Sequence, residues 1–290
     1  MKIIAPAKIN LYLHLTGRRE DGYHLLDSLF AFTEFGDVIS IMPADKLSLS
    51  IDGQFSNSLF FESIEDNLIY RAARMLQKQC DEMRGGASIR LTKNIPVSSG
   101  LGGGSSDAAA VLKGLNQLWD LQLDLKTLCE LGLDLGADVP ACIAHQSAIV
   151  RGIGEIIEPI ALPFQSAPVL LINPNQPLST RDVFTRYKTD GVPFTVASND
   201  RPTFSDWKTF LDYLPNTQND LESSAIQIQP EIQVLLTTLA KQSGCELARM
   251  SGSGATCFAL FDTVESSKCS ELILREAFPT YWIQRTQINW

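Results

Sequence analysis

The chain has 290 residues, 44% hydrophobic, 20% charged and 8% aromatic, which suffices for an ordinary buried core and leaves length for two domains. A formal net charge of −9, with no basic run longer than Arg18-Arg19, argues against nucleic acid as a partner, so anionic ligands have to be met locally. No apolar run approaches the roughly 18 residues that span a bilayer, and the opening M-K-I-I-A reads as a strand rather than a signal peptide; a cytoplasmic protein without a membrane partner, a monomer or weak homodimer, is expected.

Residues 1 to 60 read as strands at Ile3-Ile4, Ile9 to Leu15, Ser28 to Phe35, Val38 to Met42 and Leu47 to Ile51, with turns at Gly17, Asp21-Gly22 and Gly36-Asp37. Asp66-Asn67 looks like a helix start, and Leu68, Ile69, Ala72, Ala73 and Leu76 follow at helical spacing towards Cys80. Ile89 and Leu91 alternate as in a half-buried strand, and Ala108, Val111, Leu112, Leu115, Leu118 and Trp119 recur at helical spacing. A helix over Leu125 to Leu131 is followed by Gly136-Ala137-Asp138-Val139-Pro140, a loop in which the proline bars helix continuation. A strand at Ala148 to Arg151 precedes a glycine turn at Gly152-Ile153-Gly154.

A buried-type strand, Val169 to Ile172, restarts the pattern, and the turn-rich stretch Asn173 to Pro177 follows it. Residues 189 to 206 read as an exposed connection, with helices at Leu221 to Ala225 and Ile232 to Lys241. A second glycine element, Met250 to Ala255, leads into a strand over Thr256 to Phe261, a helix over Ser266 to Ala277 and a closing strand near Trp282. The pattern is α+β in two domains, 1–155 and 156–290. Cys80, Cys129, Cys142, Cys245, Cys257 and Cys269 form no C-x-x-C pair, and His14, His24 and His145 form no H-x3-H pair. Neither a disulfide framework nor a resident transition metal is expected.

The most informative stretch is Pro96 to Ala110, P-V-S-S-G-L-G-G-G-S-S-D-A-A-A, which joins the strand at Ile89 to the helix at Ala108. Glycines admit positive φ and close ligand approach, and the N–H groups and dipole of the following helix favour an anion, so the loop reads as a phosphate cradle. Gly104 is followed by Ser105 and Ser106 rather than by Lys-Ser/Thr, which excludes a Walker A loop. From Gly100 the sixth position is Ser105, which breaks G-x-G-x-x-G and excludes a dinucleotide fingerprint.

A cradle without its own lysine needs a cation from elsewhere near the transferring phosphoryl group. Lys8 and Asn10 share one side of an alternating strand, opposite Ile9 and Leu11. Asp138, paired with a lysine, suits the task of taking a substrate hydroxyl proton.

Pro96 to Ser106, the start P-A-K-I-N-L and the late S-G-S-G-A of Ser251 to Ala255 resemble the three signature motifs of the GHMP small-molecule kinase superfamily. A-P-A-K-I-N-L-Y-L, D-G-Y-H (Asp21 to His24) and L-G-A-D-V-P (Leu135 to Pro140) resemble its branch acting on an alcohol that carries cytidine diphosphate. The resemblance runs over essentially the whole chain. It implies the two-domain GHMP kinase fold with the active site in the interdomain cleft, an N-terminal ATP-binding domain, and transfer of a phosphoryl group from ATP, accompanied by Mg²⁺. It implies Asp138 as general base with Lys8 as its partner, and Asn10 as a substrate-positioning residue. Pro96, Gly100, Leu101, Gly102, Gly103, Gly104, Ser105 and Ser106 would hold the ATP phosphates; either serine suits phosphate or Mg²⁺, and the sequence does not choose between them. Asn67 and Lys93 would contact the adenosine. Tyr23, His24 and Phe184 would bind the cytosine, stacking on a base contributing ~1–3 kcal/mol. Pro96-Val97-Ser98-Ser99 departs from the many relatives in which further glycines precede the loop.

Overall fold

The structure, a computed structural model, describes residues 1–59, 63–79, 86–162, 166–198 and 201–289. Cys80, the expected helix end, lies outside the described residues. The chain forms two compact units. Residues Met1–Lys8, Phe35–Val97 and Gly102–His145 make the first; Ile9–Glu34, Ser98–Leu101 and Gln146–Trp290 make the second. Compactness thus divides the chain discontinuously, because β1 (Lys2–Arg18) and β2 (His24–Pro43) each contribute residues to both units.

In the first unit the end of β2 pairs antiparallel with β4 (Ala87–Thr92), from Val38↔Thr92 to Pro43↔Ala87. Strand β3 (Ser48–Asp52) pairs parallel with β4. A parallel pair needs a crossover, and α1 (Leu68–Gln77) lies between the two strands in the chain. Helix α1 buries Ile69, Ala72, Ala73 and Leu76 and packs against α2 (Gly103–Leu118). Helices α3 (Leu125–Leu133) and α4 (Val139–Ala144) complete the unit.

Four expectations fail here. The strands expected at Ile3-Ile4 and Ile9 to Leu15 are one continuous β1, which also runs through Gly17, where a turn is expected. Strand β2 likewise runs straight through Gly36-Asp37, where a turn is expected. A Cβ on Gly36 would lie 2.1 Å from the Ala5 carbonyl oxygen, so this glycine permits a close backbone approach, and Asp37 is buried in an ion pair. Finally, Pro140 sits in the first turn of α4; proline lacks only an N–H that has no helical partner there, so it begins a helix rather than barring one.

The second unit contains β5 (Ala148–Gly152), β6 (Ile156–Pro159), β7 (Ser166–Asn173), α5 (Thr180–Asp190), α6 (Trp207–Tyr213), α7 (Glu222–Ile228), α8 (Glu231–Ala240), β8 (Cys245–Met250), β9 (Cys257–Phe261), α9 (Val264–Ala277) and β10 (Trp282–Asn289). Its strands follow the order β2-β10-β7-β9-β8, all antiparallel, and β5 pairs with both β2 and β6. Leu170, Ile172, Cys257, Phe261 and Ile283 from the sheet form a core with Val183, Leu235 and Leu239 from the helices. Helices α5 and α6 and strands β6 and β8 escape the sequence reading. Helix α5 fully buries only Val183 and Tyr187, and α6 only Phe210, too few positions to give a period. Among the described residues no helix is long and apolar enough to cross a membrane.

Candidate active site

In the first unit, β4 delivers the chain to the glycine loop and α2 begins at Gly103. Gly102, the residue before the helix, is left-handed with φ 62°, and no side chain caps the helix. The first-turn N–H groups of a 16-residue helix therefore face the loop without a capping oxygen. A Cβ on Gly102 would lie 3.0 Å from Lys8 Cε and 3.8 Å from Asp138 Oδ2, so the backbone here is in close apposition to both side chains. Lys8 Nζ stands 3.1 Å from Asp138 Oδ2, and the two side chains are 5% and 30% exposed. Lys8 is presented from β1 between the buried Ala7 and Ile9, and Asp138 from the residue immediately before α4. The expected pair is thus formed, and it meets the glycine loop.

The two loop serines differ. Ser106 is buried, and its hydroxyl donates to the Pro6 carbonyl at 2.6 Å. Ser105 is half-buried, Gly104 exposed, and Pro96 and Leu101 buried. The Asn67 side chain accepts from the Ile69 N–H at 2.9 Å and caps α1. The next residue, Leu68, stands 3.4 Å from where a Cβ on Gly104 would be.

Lys93 differs from the expected adenosine contact. Its ammonium is buried, 2.5 Å from Asp37 Oδ2 and 2.8 Å from Asp107 Oδ2. Asp37 Oδ1 also accepts from the backbone N–H groups of Asn94 and Ile95, at 2.6 and 2.9 Å. The three side chains tie β2, the end of β4 and α2 together, and a Cβ on Gly103 would come within 3.0 Å of Lys93 Nζ. Asp107 Oδ1 is buried without a hydrogen-bond partner. Burial, countered by the Lys93 ammonium and reinforced by the Asp37 carboxylate, raises the Asp107 carboxyl to about 7. Asp37 and Asp107 are missed by sequence reasoning; an aspartate inside a strand and another in the apolar stretch of a helix are the signals that could have found them.

In the second unit, the first residues of the glycine loop rest on the second glycine element. Gly100 has φ 79°, and a Cβ there would lie 2.1 Å from the Ser251 carbonyl oxygen. The Ser251 hydroxyl donates to the Gly100 carbonyl at 2.9 Å, and the Thr256 N–H to the Ser99 carbonyl at 3.1 Å. Asn219 Nδ2 donates to the carbonyls of Met250 and Gly252, both at 2.8 Å, and fixes the element from behind. Asn10 joins this network. Its N–H donates to Ser251 Oγ at 3.2 Å and its Nδ2 to Ser28 Oγ at 2.9 Å, while Ser28 donates to the Tyr12 carbonyl. Ser28 and Asn219 carry no sequence signal, since each acts through partners distant in the chain.

The same unit brings His24 and Phe184 together, ring centres 4.8 Å apart and planes tilted by 32°. Tyr187 and Phe194 meet His24 edge-on, each at 6.3 Å. Tyr23 follows the Asp21-Gly22 turn and is 60% exposed. Burial, and then the Arg18 charge, hold the His24 imidazole below its ordinary 6.5. Among the described residues no cluster of three or more His, Cys, Asp or Glu side chains could hold a metal ion.

Residues 67–146 match the family described as GHMP kinases N terminal domain, and residues 200–278 match GHMP kinases C terminal. Fold and motifs therefore define a GHMP kinase. A 4-diphosphocytidyl-2-C-methyl-D-erythritol kinase of Paramagnetospirillum magneticum is 41% identical, over 99% of this chain and 98% of that relative. Another from Mesorhizobium japonicum is 42% identical, over 98% of this chain and 94% of its own. A crystal structure of 4-(cytidine 5'-diphospho)-2C-methyl-D-erythritol kinase superposes with a TM-score of 0.79 at 32% identity, covering 100% of both chains. The chain belongs to the 4-diphosphocytidyl-2-C-methyl-D-erythritol kinase family.

Proposed function

We propose that the protein transfers the γ-phosphoryl group of ATP to the C2 hydroxyl of 4-diphosphocytidyl-2-C-methyl-D-erythritol, giving the 2-phosphate and ADP, as a step of the non-mevalonate isoprenoid precursor pathway. The observation that carries this reading is the Lys8–Asp138 pair, 3.1 Å apart, against the backbone of Gly102 at the opening of α2. Anion-binding N–H groups, a cation and a carboxylate then converge within one turn of the same helix start. The match of the chain to relatives named for this substrate supports the choice of alcohol.

In this mechanism Asp138 takes the proton of the substrate hydroxyl as its oxygen bonds to the γ-phosphorus and the bond from that phosphorus to the bridging oxygen breaks. Lys8 stabilises the charge that develops on the attacking oxygen. Gly100 to Gly104 and the first N–H groups of α2 hold the phosphates; a side chain at Gly102 would run into Lys8, and one at Gly103 into Lys93 and Ile95. Mg²⁺ bound with ATP supplies neutralising charge to the phosphate oxygens. Ser105, half-buried where Ser106 is buried with its hydroxyl donating to the Pro6 carbonyl, would be the serine to meet that group. Asn67 stands at the adenosine side, and Lys93 acts from beneath the loop through Asp37 and Asp107. Asn10 positions the alcohol, its amide oriented by Ser28, and Tyr23, His24 and Phe184 take the cytosine. Residues 1–155 carry nucleotide handling and 156–290 the C-terminal GHMP kinase domain. The reading has the chain working in the cytoplasm as a monomer or weak homodimer, and the net charge of −9 supports the absence of a nucleic-acid partner.

The test is ADP release by purified protein with Mg²⁺ and ATP, comparing the cytidine substrate with homoserine, mevalonate and no acceptor. Turnover confined to the cytidine substrate is expected. Preference for another alcohol would overturn the substrate assignment, and absence of turnover with every acceptor would overturn the kinase activity.

A further inference from the structure

Phe194 is a large apolar side chain left 44% exposed in the second unit, yet its surroundings are fixed. The next residue, Thr195, donates its N–H to the Leu15 carbonyl at 2.8 Å and its hydroxyl to Asp220 Oδ2 at 2.8 Å. The same Asp220 oxygen accepts from the Leu15 N–H at 2.7 Å, so strand β1 and the segment bearing Phe194 share one buried carboxylate. On the other side the Tyr187 hydroxyl donates to the Pro193 carbonyl at 3.4 Å. The segment is held before and after Phe194. Its ring lies 6.3 Å from His24 at 62° and 6.3 Å from Tyr187 at 36°.

An exposed phenylalanine adds little to a core, and a backbone clamped at both neighbours is not required for a residue that only faces water. What the arrangement achieves is to hold a further aromatic ring beside His24, next to the His24–Phe184 contact. Aromatic faces accept any base, and each contributes stacking energy in proportion to the face it offers. We propose that Phe194 is a further substrate-binding residue at the base end, packing its ring against the pyrimidine held at His24 and Phe184. The inference rests on the assignment of the cytosine to His24 and Phe184.

The experiment compares Phe194→Ala, Phe194→Leu and Phe194→Tyr in steady-state kinetics and in calorimetric titration with CMP. Phe194→Ala is expected to raise both the KM for the cytidine substrate and the Kd for CMP about five- to tenfold, in line with one stacked ring. The KM for ATP, which also reports that the chain is folded, should stay within twofold. Phe194→Tyr should restore affinity, and Phe194→Leu, apolar but without a π face, should not. His24→Ala and Phe184→Ala separate the two assignments. If these weaken CMP binding while Phe194→Ala does not, or if Phe194→Leu binds like wild type, the role of Phe194 is overturned and the base site stands. If all three alanine variants bind CMP as wild type does, the base site itself is misplaced and the inference falls with it.

Discussion

The buried Asp37–Lys93–Asp107 cluster makes a prediction that surface titration cannot imitate. One ammonium faces two carboxylates, and Asp107 Oδ1 is buried without a hydrogen-bond partner. With burial as the main cause, the Asp107 carboxyl titrates at about 7 instead of the ordinary 3.8. The folded chain therefore binds a proton that the unfolded chain has already lost between about pH 4 and pH 7. Stability contributed by this group is present in full below the unfolded value and is lost as pH rises through the folded one. Three pH units at about 1.4 kcal/mol each give a loss on the order of 4 kcal/mol across the window. Asp107→Asn removes the titration and leaves Lys93 paired with Asp37. The amide adds a constant cost of about 1–3 kcal/mol for a buried N–H without an acceptor. Urea unfolding of both proteins, followed by tryptophan fluorescence at intervals from pH 4.5 to 8, isolates the effect, since other groups cancel in the difference. The variant should gain on the wild type steadily up to about pH 7 and level off above it. A difference that stays constant over that range would refute the protonated cluster.

Asp138→Asn should lower kcat by about 10² or more while leaving the KM for ATP nearly unchanged, as loss of a general base does; steady-state kinetics with wild-type turnover would remove Asp138 from that role. Gly36→Ala, which drives a Cβ to 2.1 Å from the Ala5 carbonyl oxygen, should destabilise the fold by about 3 kcal/mol or more, seen as a lower urea midpoint; an unchanged midpoint would mean that β1 and β2 do not approach as described. In the proposed base site a neutral His24 imidazole would offer cytosine a ring acceptor, and burial together with Arg18 holds its titration below 6.5. The KM for the cytidine substrate should therefore stay flat above that pH and rise only below it, and the break should vanish in His24→Ala. A break above pH 6.5 in the wild type would contradict this.

The sequence discloses the site better than the frame around it. Glycines followed by small residues state their purpose locally, so the loop at Pro96 to Ser106 and the helix after it are legible without any partner. Lys8 and Asp138 are legible as candidates, but only the fold puts Lys8 Nζ 3.1 Å from Asp138. Gly36-Asp37 misleads because the same dipeptide serves a turn or, as here, a close strand approach and a buried ion pair; the deciding partners, Ala5, Lys93 and Asp107, are remote in the chain. Lys93 misleads in the same way, since nothing local distinguishes a lysine facing ligand from one closed over by carboxylates. Helix α5 is hidden by its amphipathic weakness, and with it the reason why Phe184 and Tyr187, three residues apart, both come to His24.

Residues Ser98–Leu101 lie within the stretch that matches the N-terminal GHMP family, yet they pack as part of the second unit, held by Ser251 and Thr256. A ribosome making this chain releases the glycine loop long before it releases the residues that support it. The hydrogen bonds from Ser251 and Thr256 to the loop's opening turn can form only after synthesis has passed residue 256, when nearly nine-tenths of the 290-residue chain has been made. A nascent or truncated chain ending before Ser251 can own every glycine of the loop and still lack the scaffold that shapes Gly100. The fully supported turn is thereby confined to chains that have been made almost to the end.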